Sequence, residues 1–358
     1  MATTTTTADS RGEKRTSPLS LARGRWLWVL LALFALLPII GGQTGLISNY
    51  SFLQLNLMMM FAIAVLGLNL LTGFNGQISL GHGAFMAIGA YVTAVLMARF
   101  GWPYWATLPV AALFCFVVGY LFGLPALRLE GHYLALATFA LAIAVPQILK
   151  YRHIEELTGG VQGIVLRRVR APFDLPVTAD QWMFWLALAI AVLMFWAARN
   201  LLSSRTGRAM MAIRDQPMAA STMGINLAHY KAVTFGISAL YTGVAGALYA
   251  LVTEGVAPDS FQLTLSITLL VGMVVGGVGS LTGAVLGGVF VQVIEKYADA
   301  IARQIGTSLH LPIEIEHWVI YGLALIALVY LMPTGIAGGL ARLRGWASRW
   351  RPGVGTNG

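Results

Sequence analysis

The chain contains long apolar stretches without a single charged side chain, and this feature constrains its fold more than any other. The longest, Gln262–Ile294, runs for 33 residues without Asp, Glu, Lys or Arg. A helix that crosses a bilayer needs roughly 20 mostly apolar residues. Only 10% of the chain is charged, against about 25% in an ordinary globular domain. We therefore predict an all-α, polytopic membrane protein.

The apolar stretches predict about ten transmembrane helices. The sequence "GGVGSLTG" divides the longest stretch into two spans joined by a tight turn. The other predicted spans are Trp26–Ile40, Phe52–Leu71, Ser79–Met97, Trp105–Leu124, His132–Leu149, Trp182–Ala198, Ala232–Thr253 and Trp318–Met332. Residues 26–340 thus form one transmembrane domain between a disordered cytoplasmic tail, 1–25, and a basic cytoplasmic tail, 341–358. No small-residue cleavage site follows the first span, so we expect it to stay uncleaved.

The distribution of charge predicts which side of the membrane each connection occupies. With the N-terminus inside and the spans alternating, the inside segments hold 15 Lys and Arg against 4 Asp and Glu, and the outside segments hold 8 against 10. Cytoplasmic segments are enriched in Lys and Arg, so both termini and the 199–231 loop are predicted to be cytoplasmic. The sequence "RRVR" at 167–170 falls on the outer side and is an exception.

A polar, glycine-rich sequence, "LTGFNGQISLGHGAF" at 71–85, joins two predicted spans. Backbone that is not helical survives at membrane depth only where it is buried in protein or lines a cavity. Its glycines permit a sharp turn, and its polar side chains can bond the freed backbone groups; these are Asn75, Gln77, Ser79 and His82. The stretch is either a capped joint between helices or an element of a translocation path. We expect His82 to be hydrogen-bonded and no metal to bind, because no second ligand lies at a suitable spacing.

The largest loop between spans, 199–231, is basic and helix-forming. "GRAMMAIRD" favours a helix, Pro217 ends it, and "MAASTMGIN" can form a second turn. Such a loop can lie near anionic lipid headgroups, or its helices can dock into another protein. The Met and Ile side chains favour docking, because contact with headgroups alone does not require them.

Glycines recur at four-residue intervals late in the chain: Gly272 and Gly276, then Gly279, Gly283 and Gly287. Small residues at this spacing form a stripe that lets helix backbones approach closely within a membrane. We predict that the stripe packs helices together, within this chain or with a partner. Contact with lipid or substrate is the alternative.

Several classes of function lack their sequence signatures. No "GK[ST]" sequence occurs, so the chain has no P-loop and is not expected to hydrolyse nucleotide. No carboxylate lies in the middle of a predicted span, where ion-coupled transporters commonly place one. The single cysteine, Cys115, excludes a disulfide within one chain and a cysteine-based zinc site.

Seven motifs between about Phe61 and Leu340 resemble the permeases of bacterial ABC importers for branched-chain amino acids, specifically the LivM-type inner-membrane subunit. In order they are "LGLNLLTGFNGQISLGHGAFMAIGAYV", "LPALRLEGHYLALAT", "LTGGVQGI", "GRAMMAIRDQPMAASTMGIN", "TFGISALYTGVAGALYA", "VAPDSF" and "VVGGVGSLTGAVLGG". Their number and order are specific to the wider permease family, whose members also serve urea, amides and aromatic acids.

The resemblance implies a set of partners in the bacterial inner membrane. A second, homologous permease is expected beside this chain, two ATP-binding subunits beneath it and a periplasmic substrate-binding protein outside. Membrane lipid surrounds the spans, and no nucleic-acid partner is expected. No cofactor is expected on this chain, because ATP and Mg belong to the ATP-binding subunits. The residues carried over as the ATPase coupling loop are Gly207, Arg208, Arg214, Ala219, Ala220 and Gly224.

The substrate is predicted from the candidate path residues. Many family members carry an acidic or amide residue within a "TLGFGE"-like run, where this chain has "ATFALAIAVPQ" and Ile143. The candidate path carries no fixed charge and comprises Asn69, Asn75, Gln77, Ser79, His82, Thr138 and Ile143. We therefore predict small amphipathic solutes, branched-chain amino acids first, with urea, amides or aromatic acids as the alternative. A passive channel, an ion-coupled carrier and a scaffold without transport are the competing classes.

Overall fold

The computed structural model describes residues 49–126, 131–169, 171, 178–308, 322, 326, 330, 334–340 and 342. The predicted span Trp26–Ile40, the N-terminal tail and all of the C-terminal tail except Arg342 lie outside these residues. Only three positions of the predicted span Trp318–Met332 lie within them. The remaining predicted spans all coincide with described helices.

The described chain is a bundle of helices, as predicted. Six of its helices are long and apolar enough to cross a membrane, namely α1 (Asn49–Asn75), α2 (His82–Phe100), α3 (Tyr104–Ala126), α4 (His132–Leu149), α6 (Ala179–Ser203) and α9 (Leu227–Val252). Two more apolar helices flank the predicted tight turn, α10 (Leu263–Gly276) and α11 (Leu281–Ser308). The short elements are α5 (Glu155–Thr158), β1 (Ile164–Val165), α7 (Arg205–Asp215), α8 (Pro217–Thr222) and β2 (Gly255–Val256).

Most of these helices differ by a few residues from their predicted spans, and α2 and α11 show why. α2 begins at His82 and not at Ser79, because residues 76–81 are not helical. α11 continues past Ile294 to Ser308. The predicted span ends at Ile294 because the next residue is charged. The backbone hydrogen bonds of a helix can continue through charged residues, so α11 is longer than its apolar part.

α9 lies at the centre of the bundle and packs against α1, α2 and α3. Glycine permits its closest approaches. A side chain at Gly246 of α9 would overlap the carbonyl of Met86 in α2, and one at Gly67 of α1 would press on Ser238 and Thr242 of α9. Such contacts stabilise helix pairs in lipid, where no hydrophobic force drives helices together.

The connections gather at two opposite ends of the bundle. At the first, which we call the helix-pair end, α7 and α8 meet the end of α1, and Arg214 donates to the carbonyl of Gly73 at 3.0 Å. At the second, the ladder end, β1 pairs antiparallel with β2 and sets Ile164 opposite Val256. This two-residue ladder is the only β-sheet that the described residues contain.

Candidate functional site

The non-helical residues 76–81, which we call the broken segment, enter the bundle from the helix-pair end. α1 ends there at Asn75. α2 begins at His82, whose ring is linked through Ser238 to the carbonyl of Gly67. Because Gly67 lies about two turns before the end of α1, α2 begins at membrane depth and not at an end of the bundle.

Burial alternates along the broken segment as it does along a strand. Gln77 and Ser79 are buried, whereas Ile78 is 48% exposed and Leu80 is partly exposed. Successive side chains of such a chain point to opposite sides. The segment therefore turns its polar side chains into the bundle and its apolar side chains outward, which is the arrangement expected where a helical bundle meets lipid.

A chain of hydrogen bonds fixes His82 and its tautomer. Ser238 donates its hydroxyl proton to the carbonyl of Gly67, so its oxygen accepts from Nε2–H of His82. Nδ1 of the neutral ring then accepts from the hydroxyl of Ser79 at 3.0 Å, and the Ser79 oxygen in turn accepts from the N–H of Gly81 at 3.3 Å. Because a serine hydroxyl has one proton to donate, this direction satisfies every member of the chain. His82 thus joins the broken segment, α9 and α1.

Two other candidate path residues also hold the broken segment in place. Nε2 of Gln77 donates to the carbonyl of Lys231 at 3.3 Å, and Oγ1 of Thr138 accepts from the N–H of Leu80 at 2.9 Å. Asn75 is buried, yet neither polar atom of its side chain has a hydrogen-bond partner among the described residues.

Asn69 links α1 to the turn between α10 and α11. Its Nδ2 donates to the carbonyl of Ser280 at 2.9 Å, and its Oδ1 accepts from the N–H of Gly279 at 2.8 Å. Gly279 has a φ of +72°, a left-handed conformation that glycine adopts without strain. The prediction that Gly279 belongs to a helical stripe is therefore wrong, because Gly279 lies in the turn and α11 begins only at Leu281.

The other four stripe glycines face one another across the contact between α10 and α11. A side chain at Gly276 would overlap the carbonyl of Gly283, and one at Gly287 would overlap the carbonyl of Gly272. The two backbones are thus too close for any residue with a Cβ.

Ile143 lies on an exposed face of α4, where it is 45% exposed. The exposed side chains of Leu136 and Phe139 precede it on the same face at helical spacing. Where this face meets the broken segment there is an open groove of about 300 Å³, lined by Leu80, His132, Ala135, Leu136 and Phe139. Ile143 thus lies one turn beyond a groove that the broken segment helps to form.

The helix pair α7 and α8 divides the predicted coupling residues between two environments. Gly207 and Ala220 are buried, and a side chain at Gly207 would collide with the end of α6. Arg208, Ala219 and Gly224 are exposed. The predicted two-helix structure of the loop matches α7 and α8, but the buried residues hold the pair against the bundle and only the exposed ones are free to touch another molecule.

The exposed surface of the helix pair is both apolar and basic. Met218 is 78% exposed and Met223 is 86% exposed. Arg214 bonds the carboxylate of Asp215 in addition to Gly73, so its charge is partly neutralised. Large apolar side chains this exposed at an end of the bundle indicate a contact with another protein.

Ion pairs stabilise the connections of the ladder end. The ammonium of Lys150 bonds the carboxylate of Asp259 and holds the pKa of that carboxyl below its usual range. Arg168 donates to both carboxylate oxygens of Asp180 at 2.8 Å and also pairs with Glu254. The hydrogen bond to Asp180 raises the pKa of the guanidinium. The carboxylates of Asp180 and Glu254 thus offset the charge of Arg168, one of the three arginines that made "RRVR" an exception to the predicted charge distribution.

Sequence reasoning missed two serines that position the start of α2. Ser238 closes the chain through His82, and Oγ of Ser266 in α10 accepts from the N–H of Gly83 at 2.9 Å. Each is a hydroxyl within an otherwise apolar span, and such residues commonly form hydrogen bonds between helices in membranes. No group of three His, Cys, Asp or Glu side chains suited to a metal ion occurs within the described part of the chain.

Six spanning helices, one of them starting at membrane depth, define a polytopic membrane protein with an exposed helix pair at one end. Residues 51–328 match the family model described as the permease component of branched-chain amino acid transport systems. The match covers well over half of the chain, which therefore belongs to this family.

Named relatives agree with the family match. The chain is 32% identical over 263 residues to the high-affinity branched-chain amino acid transport system permease protein LivM of Salmonella typhimurium, and equally to that of Escherichia coli. Each match covers 67% of this chain and 61% of the relative's length. It is also 29% identical over 156 residues, 42% of this chain and 43% of the relative, to a probable LivM of Methanocaldococcus jannaschii. No solved structure matches this chain.

Proposed function

We propose that this chain is the permease subunit of an ATP-driven ABC importer that moves small amphipathic solutes, branched-chain amino acids first, across a bacterial inner membrane. The family match over residues 51–328 carries the proposal, because it includes all six spanning helices except the first two residues of α1. Membership of this family favours an importer subunit over a passive channel, an ion-coupled carrier or a scaffold.

The helix-pair end faces the cytoplasm in this proposal, together with both termini. Its exposed cations include Arg199, Arg205 and Arg208, whereas Asp215 is the only acidic residue in 199–231. The excess of Lys and Arg on cytoplasmic segments supports this orientation. The ladder end then faces the periplasm, where a substrate-binding protein delivers solute.

The exposed side of the helix pair is the proposed contact for an ATP-binding subunit. Met218 and Met223 supply flexible apolar contacts, exposed Ala219 allows close approach, and Arg208 offers a cation to an acidic partner. The chain carries no P-loop, so ATP and Mg would bind the two partner ATPases, and their movement would reach the bundle through buried Gly207 and Ala220. A second, homologous permease completes the importer.

Uptake by reconstituted vesicles tests the class and the substrate. Vesicles that contain this chain, its partner permease, two ATP-binding subunits and the binding protein should accumulate leucine only with ATP, while the purified chain alone should hydrolyse none. Leucine uptake without ATP, or hydrolysis that co-purifies with the single chain, would exclude an importer permease. Uptake of urea or benzoate but not leucine would keep the class and change the substrate.

Substitutions in the helix pair test the coupling contact. Ala219→Glu and Arg208→Glu should lower ATP-driven leucine uptake about tenfold or more, since a buried interfacial charge without a partner commonly costs several kcal/mol. Ala228→Glu adds the same charge to an exposed site at the start of α9 and should leave uptake near wild type. If all three variants took up leucine at the wild-type rate, the helix pair would contact only lipid headgroups.

A further inference from the structure

We propose that the transported solute moves along the outward edge of the broken segment, where the backbone of Ile78 binds its polar end and the groove against α4 receives its apolar side chain. This inference rests on the proposed function and deepens it. It assigns the solute contact to the apolar edge of residues 76–81 and not to the polar side chains of that segment.

The backbone of Ile78 is unpaired within the non-helical broken segment. Ile78 is 48% exposed, and neither its N–H nor its C=O has a hydrogen-bond partner among the described residues. Non-helical backbone does not face lipid, because hydrocarbon offers no hydrogen bonds; it lies against protein or a water-filled cavity. The unpaired backbone groups of Ile78 therefore lie against something other than lipid.

The buried polar side chains of the broken segment are already hydrogen-bonded. Gln77 bonds the carbonyl of Lys231, and Ser79 bonds the ring of His82. Both are buried on the inner side of the segment. They hold the segment in place and are not free to bind a solute, whereas the backbone groups of Ile78 have no partner among the described residues.

The groove beside the broken segment is lined mainly by apolar side chains. The groove has a volume of about 300 Å³ and carries the apolar side chains of Leu80, Leu136 and Phe139, with Ile143 one turn farther along α4. Its volume lies at the small end of the roughly 300–1,000 Å³ range of ligand pockets. A free N–H suits a carboxylate and a free C=O suits an ammonium group, so the site fits a zwitterion with a short apolar side chain. The polar contacts of the site are these backbone groups and the side chain of His132, with no Asp, Glu, Lys or Arg among the residues that line the groove, so the site would bind such a solute weakly enough to release it.

Cysteine reactivity tests this edge directly. Cys115 is the only cysteine in the chain and is buried, so an introduced cysteine can be followed by a mass shift of this chain alone. In inside-out vesicles containing the assembled importer, Ile78→Cys should react with a membrane-impermeant sulfonated methanethiosulfonate. Excess leucine should slow that reaction several-fold. Leu113→Cys, on an exposed apolar face of α3, is the matched control and should stay unreactive, because a thiol in hydrocarbon does not form the reactive thiolate.

The outcomes separate this inference from the proposed function. If the importer transports leucine but Ile78→Cys does not react, the edge is covered by the second permease and the inference is wrong. If Ile78→Cys reacted at the same rate with and without leucine, water but not leucine would reach this edge, and the inference would also be wrong. If the importer does not transport leucine, but another solute slows the reaction, the edge stands and the proposed substrate is wrong.

Filling the groove gives an independent readout. Leu136→Trp should reduce leucine uptake about tenfold relative to alanine uptake, the scale of discrimination that a small change in an apolar pocket provides. Leu113→Trp places the same bulk on α3 and should reduce neither. Equal losses of leucine and alanine uptake in Leu136→Trp would mean that the groove receives no side chain.

Discussion

Two pairs of spanning helices have comparable apolar composition and very different surroundings. Within α1 and α9, 83% and 78% of the most apolar window is buried inside the structure, whereas in α3 and α4 the share is 28% in each. An apolar span in this protein is therefore not necessarily a core span. In a membrane both the interior of the bundle and its lipid surface are apolar.

Small and polar residues mark the buried pair. α1 and α9 meet closely at Gly67, where a side chain would press on Ser238 and Thr242. The hydroxyl of Ser238 bonds the carbonyl of Gly67 between the two helices, and that of Thr242 bonds the carbonyl of Ser238 within α9. The exposed faces of α3 and α4 instead carry large side chains such as Leu113 and Leu136. Between helices in lipid, close packing and hydrogen bonds replace the hydrophobic force that builds a soluble core.

The largest effect should follow from adding volume to the buried pair. Gly246→Leu would drive a side chain into the backbone of Met86, and we expect a loss of more than about 3 kcal/mol of unfolding free energy, above the usual cost of overpacking where side chains can move. Ala140→Leu, on the exposed side of α4, is the control. Thermal unfolding in detergent and the yield of folded chain measure both variants. Equal stability of the two would remove the distinction between the helix pairs.

Removing the ring of His82 should have an intermediate effect. His82→Ala leaves Ser79 without its acceptor and takes a donor from Ser238, and a buried polar group left unpaired costs about 1–3 kcal/mol. His153→Ala, an exposed ring at the ladder end, should leave the melting temperature unchanged. We also expect His82→Ala to make the thiol of Ile78→Cys more reactive, because His82 fixes the broken segment. A wild-type melting temperature for His82→Ala would show that the hydrogen-bond chain contributes nothing to stability.

The smallest effect concerns the ion pair of the ladder end. Lys150 lowers the pKa of Asp259 in the folded state, so the contribution of this pair is present above the unfolded pKa of about 3.9 and is lost as the pH falls through the folded value. Asp259→Asn should therefore lower the melting temperature slightly at pH 7 and not at all in strong acid. Glu156→Gln, another exposed acidic site at this end, is the control. A difference that grows as the pH falls would contradict the assignment.

Much of the architecture followed from local patterns of residues. The apolar stretches predicted the six described spanning helices and the apolar helices α10 and α11, and "GGVGSLTG" predicted the turn between those two. Pro217 predicted the break between α7 and α8, because proline cannot continue a preceding helix. These features depend on residues near one another in the chain, so a sequence read by itself contains them.

The orientation of side chains was decided only by the tertiary structure. The polar residues of 71–85 predicted a break, but not that Gln77 and Ser79 would face inward and Ile78 outward. That choice depends on Ser238, which lies 156 residues beyond His82. Likewise Gly279 shares the spacing of the glycine stripe, yet its bond to Asn69, 210 residues away, holds it in a turn. The sequence alone determined the helices, the breaks between them and the family. The residues that hydrogen-bond the broken segment and the turn between α10 and α11 lie far away in the chain, so these contacts form only when the bundle packs.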